Sequence, residues 1–191
     1  MPEALFRTPF YPVWQQTILK AVEEVNKLDR RLFSDPSLGG RLQAIAEKYS
    51  LTVARLQKEH LEARAQRQER RVSDGRGGSR TIMQGRLDVT IPFTGDVESL
   101  RICPSRSTVL QHAAEIGSQA IVLSIADDDG AESQVQSFIN QVNQNLDTLR
   151  MEYEQAKPQL GQAIQRAAEE RKAQVTAEAE RDKKLSFPVR R

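Results

Sequence analysis

The sequence has few of the residues on which compact or disulfide-linked proteins depend. Aromatic residues make up 5% of its 191 residues and hydrophobic residues 38%, which predicts an aliphatic core built from helices with narrow apolar stripes. A single cysteine, Cys103, excludes an internal disulfide and is typical of a reducing compartment. No apolar run approaches the roughly 20 residues that cross a bilayer. We therefore expect a cytoplasmic protein that makes no membrane contact.

Motifs for catalysis and for cofactor binding are also missing. The sequence has no phosphate-binding loop, no G-x-S-x-G nucleophile turn and no cysteine or histidine spacing for zinc. This predicts a protein that is not an enzyme and that uses no cofactor, no metal and no small-molecule substrate. The net charge of +2, from 28 basic and 26 acidic residues, excludes a global field that would attract nucleic acid. Any such preference has to come from a local patch.

Helical periodicity dominates the first third of the chain. Apolar residues recur at three- and four-residue steps over 13–33, which predicts a first helix that Pro36 and two following glycines end. A second helical pattern lies at 42–49, and a third, increasingly charged pattern covers 53–71. Residues 1–72 are therefore predicted to form an N-terminal helical region.

A glycine- and serine-rich stretch follows this region. The sequence "SDGRGGSR" at 73–80 has the composition of a flexible linker. We place a linker at 73–85 and predict that residues 86–191 form a second region, with a small sheet and C-terminal helices.

Period-two alternation predicts the strands of this sheet. "GRLDVTIPF" at 85–93 alternates apolar and polar residues, and the apolar run at 119–126 indicates a second, buried strand. "RSTVLQ" at 106–111 is a candidate third strand. Pro92 cannot donate a backbone hydrogen bond, so its strand is expected at a sheet edge or to end there. A turn through Gly95 follows, and Asp96 is expected to have a structural role.

The C-terminal part has the longest helical pattern. Apolar residues from Val135 to Tyr153 recur at three- and four-residue steps close to a coiled-coil heptad. Pro158 predicts a break, followed by a second helix to about Lys184 that folds back on the first. The predicted fold class is thus α+β and predominantly helical, with N-terminal helices, a small antiparallel sheet and a long C-terminal helical hairpin.

Residues 42–60 have the rhythm of a helix-turn-helix. Such a motif needs a short turn that lets a second helix lie in the major groove. The range from Arg55 to Arg86 contains nine basic and four acidic residues. This excess of five positive charges would attract phosphates. The candidate nucleic-acid-binding residues are Thr52, Arg55, Lys58, Arg64, Arg67, Arg70 and Arg71. Plain helical packing is the competing interpretation.

Three stretches together resemble a known group of bacterial proteins. They are "VTIPFTGDVESLRICPS" at 89–105, "EERK" at 169–172 and "LSFPVRR" at 185–191. They resemble the N-terminal region of uncharacterised proteins that in longer members is followed by a restriction-endonuclease-like nuclease domain. The resemblance implies a role in anti-phage defence. The resemblance covers only the region before the nuclease domain, so we expect no counterpart of the catalytic residues of that nuclease in residues 89–191.

Two functions from different classes follow from these patterns. The first is a non-catalytic interaction, regulatory or assembly module of a bacterial cytoplasmic system associated with a nuclease. It would bind a protein partner or a second copy of itself through its helices. The second is a DNA-binding regulator that uses the helix-turn-helix-like segment at 42–60.

Overall fold

The computed structural model describes residues 5–73 and 79–184, and for residues 68–73 and 79–82 it describes the backbone alone. The helices are α1 (Phe10–Asn26), α2 (Leu38–Lys48) and α3 (Ala131–Lys183). The strands are β1 (Thr8–Pro9), β2 (Arg55–Leu56), β3 (Glu62–Ser73), β4 (Ser79–Thr94), β5 (Ile102–Cys103), β6 (Ala114–Ile116) and β7 (Ala120–Ala126). The predicted α+β class, with N-terminal helices and a small antiparallel sheet, is confirmed.

Strand β4 is the centre of the main sheet. It pairs on one side with β7, which in turn pairs with β6, and on the other side first with β3 and then with β2. All of these pairs are antiparallel. A separate parallel pair joins β1 to β5. The described residues divide into two compact units: those up to Phe10 with Leu51–Glu152, and Tyr11–Ser50 with those from Tyr153 onward.

The core of the sheet-containing unit is built from alternating strand residues. In β7, Ile121, Leu123 and Ile125 are buried while their neighbours are half-exposed, as expected when one sheet face is covered. The first part of α3 supplies residues at three- and four-residue steps. The buried residues there are Val135, Phe138, Ile139, Val142, Leu146 and Leu149. The predicted strands at 85–93 and 119–126 and the predicted apolar helix face are therefore present.

The helical unit is formed by α1, α2 and the second part of α3. Trp14 meets Tyr153 in an edge-to-face arrangement with ring centroids 5.4 Å apart, a geometry that aromatic pairs favour. Phe33, Ile45 and Leu160 are also buried in this unit.

The first two helices have different limits from those predicted. Helix α1 ends at Asn26, and a short 3-10 helix over Arg30–Ser34 follows it, with the Asp29 carboxylate accepting a hydrogen bond from the Arg31 N–H at 2.8 Å. Asp35 accepts similarly from the Ser37 N–H at 2.7 Å. These local side-chain bonds compete with helix propagation, so the break comes earlier than the glycines indicated.

The predicted helix over 53–71 is wrong. Residues in this range form β2, a 3-10 turn at Lys58–His60 and most of β3. Every residue from Glu62 to Ser73 pairs with a residue of β4. The backbone hydrogen bonds of this segment are therefore made to another strand, which outweighs its local helix propensity.

The predicted linker over 73–85 is replaced by strand at its described positions. Ser73 pairs with Ser79, and residues 79–85 form the first half of β4. Residues 74–78 lie outside the described residues.

The segment "RSTVLQ" at 106–111 is not a strand but an extended loop that lies along α3. The side chain of Asn145 accepts from the Thr108 N–H at 2.6 Å and donates to the Thr108 carbonyl at 2.9 Å. One turn before Asn145, the Gln141 side chain accepts from the Gln111 N–H at 3.3 Å. Two turns after it, the Glu152 side chain accepts from the Ser105 N–H at 2.9 Å. Side chains of α3 thus make the hydrogen bonds to this loop that a neighbouring strand would otherwise make. The strand that pairs with β7 in place of the predicted one is β6.

The C-terminal element is one helix and not the predicted hairpin. Helix α3 continues through Pro158, which costs it one backbone hydrogen bond. Tyr153 and Ala156 before the proline and Leu160 and Ile164 after it are buried. Burial on both sides of the proline keeps the helix continuous.

Pro92 lies in the central strand, two residues before the strand ends at Thr94. Of the two predicted alternatives, the edge position is therefore wrong, and the end of the strand is close to its predicted place. Its position falls between Thr90, which pairs with β3, and Phe93, which pairs with β2. The chain opposite forms the 3-10 turn there, and the Pro92 carbonyl accepts from the Gln57 N–H at 2.8 Å. The missing N–H therefore falls at the interruption between two neighbouring strands, where the ladder does not require it.

Candidate nucleic-acid interface

The predicted helix-turn-helix is absent from residues 42–60, all of which the structure describes. Helix α2 ends at Lys48, and no second helix suited to a groove follows. The Thr52 N–H donates to the Asp96 carboxylate at 2.6 Å, which gives this backbone a structural role. Arg55 and Lys58 are exposed, in β2 and in the adjacent 3-10 turn. Residues 42–60 therefore do not form the predicted helix-turn-helix.

The other four candidate residues lie together on one strand. Arg64, Arg67, Arg70 and Arg71 all belong to β3. Among those whose side chains the structure describes, Arg64 and Arg67 are exposed. Because successive residues of a strand alternate between its two faces, Arg64 and Arg67 lie on opposite faces of β3, whereas a helix would have placed these two positions on the same face.

The outer part of β3 and β4 extends past the rest of the sheet as a two-stranded ribbon. Strand β7 pairs with β4 from Pro92 only as far as Arg86. Beyond that point, residues 67–73 pair with 79–85, which we call the β-ribbon. At about 3.4 Å per residue, its seven pairs extend for roughly 24 Å.

The base of the β-ribbon is closely packed around Gly85. The Asp127 N–H donates to the Gly85 carbonyl at 3.1 Å, and a Cβ atom at position 85 would lie 3.0 Å from the Cβ of Asp127. Only glycine fits this approach without a shift of its neighbour. A surface cavity opens beside it, lined by Ala65, Gln66, Arg67, Met83, Gly85 and Asp127.

Positive charge is concentrated in and next to the β-ribbon. Residues 64–86 include seven arginines and two acidic residues, Glu69 and Asp74, which gives a net charge of +5. Since the whole chain carries +2, the remaining residues carry −3. All seven cations are arginines, whose planar guanidinium can bind phosphate through two parallel hydrogen bonds.

One acidic residue lies in the sheet close to the base of the β-ribbon. Asp88 is opposite Arg64 on one side and Ser124 on the other. Its carboxylate accepts from the Ser124 hydroxyl at 2.5 Å and from Arg86 Nε at 3.1 Å. The Ser124 hydrogen bond, with Arg86 and Arg64, lowers the pKa of Asp88 below its ordinary value of 3.8. Asp88 therefore stays ionised and offsets part of the charge of Arg86.

The turn after β4 has a structural role and lies outside the β-ribbon. Gly95 has a φ of +92°, and a Cβ there would lie 2.9 Å from the Thr52 carbonyl oxygen. The Asp96 N–H donates to that same oxygen at 2.8 Å. The buried Ser99 hydroxyl donates to the Asp96 carbonyl at 2.7 Å and accepts from the Ala54 N–H at 2.9 Å. Asp96 therefore has a structural contact set, as expected.

Sequence reasoning missed the β-ribbon as a unit. The segment between its strands contains Asp-Gly and Gly-Gly dipeptides, which are strong hairpin signals when strands flank them. The flanking residues carry no apolar alternation, however, and composition alone favoured a linker.

A comparison of the chain with protein-family models, with curated proteins and with solved structures finds no match. Across residues 5–73 and 79–184, none of the helices is long and apolar enough to cross a membrane.

Proposed function

We propose that this chain is a non-catalytic interaction module that binds nucleic acid through the β-ribbon. The observation that carries the proposal is the separation of charge. A net charge of +5 lies on residues 64–86, which include an extended two-stranded arm, while the remaining residues are net negative.

The chemistry of the arginines supports phosphate contact as the source of affinity. A protein that neutralises Z phosphates releases condensed counterions, so the logarithm of its affinity falls with the logarithm of salt concentration with a slope of about −0.9Z. If about four of the seven arginines contact phosphates, the slope is about −3.6. Affinity would then fall roughly 150-fold between 50 and 200 mM salt.

Exposure of the described arginines also supports the proposal. Arg64 and Arg67 extend from a strand that pairs, among the described strands, with β4 alone. Some other cations, such as Arg150 with Asp147 and Arg166 with Glu170, have an acidic partner on the same helix. Among the described side chains, no carboxylate lies within ion-pair distance of Arg64 or Arg67, although the charge of Arg64 acts on the nearby Asp88.

The biological setting of this module rests on the resemblance noted in the sequence. We propose that it serves a nuclease in a bacterial cytoplasmic defence system, where it would hold nucleic acid or assemble with the nuclease. A single cysteine is compatible with that reducing compartment. Association with a protein partner or self-association through the helices is the rival proposal.

The test is a salt titration of binding to a fluorescently labelled 20-base-pair DNA duplex. We expect measurable binding at 50 mM salt and a log–log slope of about −3.6. Arg67→Ala should make this slope less negative by about 0.9 and weaken binding at low salt. Arg67→Lys should retain most of the slope, because it retains the charge.

Lys58→Ala is the matched control for this experiment. It also removes one exposed positive charge from the sheet-containing unit, but from the 3-10 turn and not from the β-ribbon. Its slope should equal that of the unchanged protein. An equal loss in Arg67→Ala and Lys58→Ala would show that only net charge matters, and no binding at 50 mM salt would refute the proposal.

A further inference from the structure

We infer that the β-ribbon enters the major groove of B-form DNA, so that the module prefers duplex DNA to duplex RNA and to single strands. This inference rests on the proposed nucleic-acid binding and adds the kind of nucleic acid and the groove. It follows from the width, reach and surface of the β-ribbon.

Width decides which grooves can accept the arm. Neighbouring strands lie about 4.8 Å apart, so a ribbon of two strands with side chains on both edges fits the B-form major groove, which is about 12 Å wide. The B-form minor groove is only about 6 Å wide. The major groove of A-form RNA is deep and narrow and excludes such elements.

Reach decides how far the arm can follow the groove. The seven residue pairs beyond the last pairing with β7 extend for roughly 24 Å. This exceeds the major-groove depth of about 8.5 Å. It is also about two thirds of the 34 Å helical repeat, so the β-ribbon could lie along the groove past several base pairs. A short surface loop would touch only the phosphates.

The surface at the base of the β-ribbon is suited to close contact. Next to this base, Ala63 and Ala65 of β3 are exposed and their small side chains leave the backbone of that strand accessible, whereas Gly85 packs against Asp127. Met83 lies close by, and its side chain is 60% exposed. An exposed apolar side chain in a cationic arm matches the thymine methyl group, the apolar feature of the major groove.

Asp127 limits how deeply the arm can insert. It lies against Gly85, at the junction between the β-ribbon and the rest of the sheet. A carboxylate there repels phosphates, so the phosphates on the groove walls are expected to stay on the distal side of this junction. Because the arginines lie on the β-ribbon and the Asp127 carboxylate lies at its base, we expect DNA to approach the β-ribbon from its distal side.

Binding to three nucleic acids of the same sequence separates this inference from the proposed function. The probes are a 20-base-pair DNA duplex, the corresponding RNA duplex and one DNA strand, each at 50 mM salt. We expect at least tenfold tighter binding to the DNA duplex. Equal binding to DNA and RNA duplexes would overturn the groove assignment and leave nucleic-acid binding intact. Absence of binding to all three would overturn both.

Dimethyl sulfate protection of the bound DNA duplex then reports which groove is occupied. The reagent methylates guanine N7 in the major groove and adenine N3 in the minor groove, so we expect protection at guanine N7 alone. Protection at adenine N3, or at neither position, would overturn the inference. Met83→Ser is expected to weaken duplex binding several-fold without changing the salt slope, whereas an unchanged affinity would remove Met83 from the contact.

Discussion

Asn145 provides the sharpest stability prediction. It is a fully buried polar residue, with an exposed fraction of 0%. Its amide makes one hydrogen bond to the backbone N–H of Thr108 and one to its carbonyl. Asn145→Ala removes both bonds at once and leaves two half-buried backbone groups without these partners. Each such group costs about 1–3 kcal/mol.

The expected loss is in the lower part of that range, because Thr108 is half-buried and water can reach it after a small movement. Two groups then give roughly 2–3 kcal/mol, from which the better helix propensity of alanine removes a few tenths. For a protein of this length, this corresponds to a fall in Tm of roughly 4–12 °C. Thermal unfolding followed by circular dichroism measures it.

Gln144→Ala is the matched control, since it affects the same loop from the neighbouring helix position. The Gln144 side chain accepts from the Thr108 hydroxyl at 3.0 Å, but this bond is exposed. We expect a loss below about 0.5 kcal/mol. Hydrogen exchange of residues 105–111 should accelerate in Asn145→Ala and remain unchanged in Gln144→Ala. Equal stability and equal exchange in the two variants would refute the role assigned to Asn145.

Four further substitutions test the backbone and the sheet. Gly95→Ala should destabilise the protein by roughly 1–3 kcal/mol in urea unfolding, because φ is +92°. Gly39→Ala, in open space within α2, should be neutral or stabilise by up to about 1 kcal/mol; the opposite order would contradict this reasoning. Pro158→Ala should stabilise the protein, by up to about 3 kcal/mol, since α3 regains a hydrogen bond, and a loss of stability would show that the proline ring has a packing role. Asp88→Asn should destabilise it at neutral pH, because the folded protein lowers the pKa of Asp88. This deficit should shrink as pH falls below the ordinary pKa of 3.8 and vanish below the folded pKa, and a deficit that persists at lower pH would rule out ionisation as its source.

The strands that local sequence predicted are those with one buried face. Val89, Ile91 and Phe93 are buried in β4, as are Ile121 and Leu123 in β7. Burial of one face requires apolar residues at every second position, and this pattern is visible in the sequence. The same reasoning located the helix face that begins at Val135.

Strand β3 could not be predicted in this way, because it shows no apolar alternation. Ala63, Arg64, Ala65, Gln66 and Arg67 are all exposed, so no buried face imposes a period of two. These residues are also good helix formers. Only the pairing with a distant strand decides their conformation, and that information is not local. The candidate arginines were therefore identified as residues, but their arrangement was not.

Pro158 illustrates the opposite error: the proline is a strong local signal for a helix break, but tertiary packing outweighs it. Proline disfavours a helix interior by about 3 kcal/mol. Burial of Tyr153 and Leu160 on either side contributes about 1.5–3 kcal/mol for each large side chain. The packed residues thus offset the lost hydrogen bond, and a break predicted from the proline alone does not occur.

The open edges of the β-ribbon have a consequence for solubility. Its β3 strand pairs with β4 alone among the described strands, and residues 79–85 of β4 pair only with β3. Unpaired strand edges recruit strands from other molecules, and charge on the edge is a common protection. Mutual repulsion between arginine-rich arms would keep two copies apart. Because salt screens this repulsion, the salt concentrations expected to weaken the proposed nucleic-acid binding should also favour edge-to-edge aggregation.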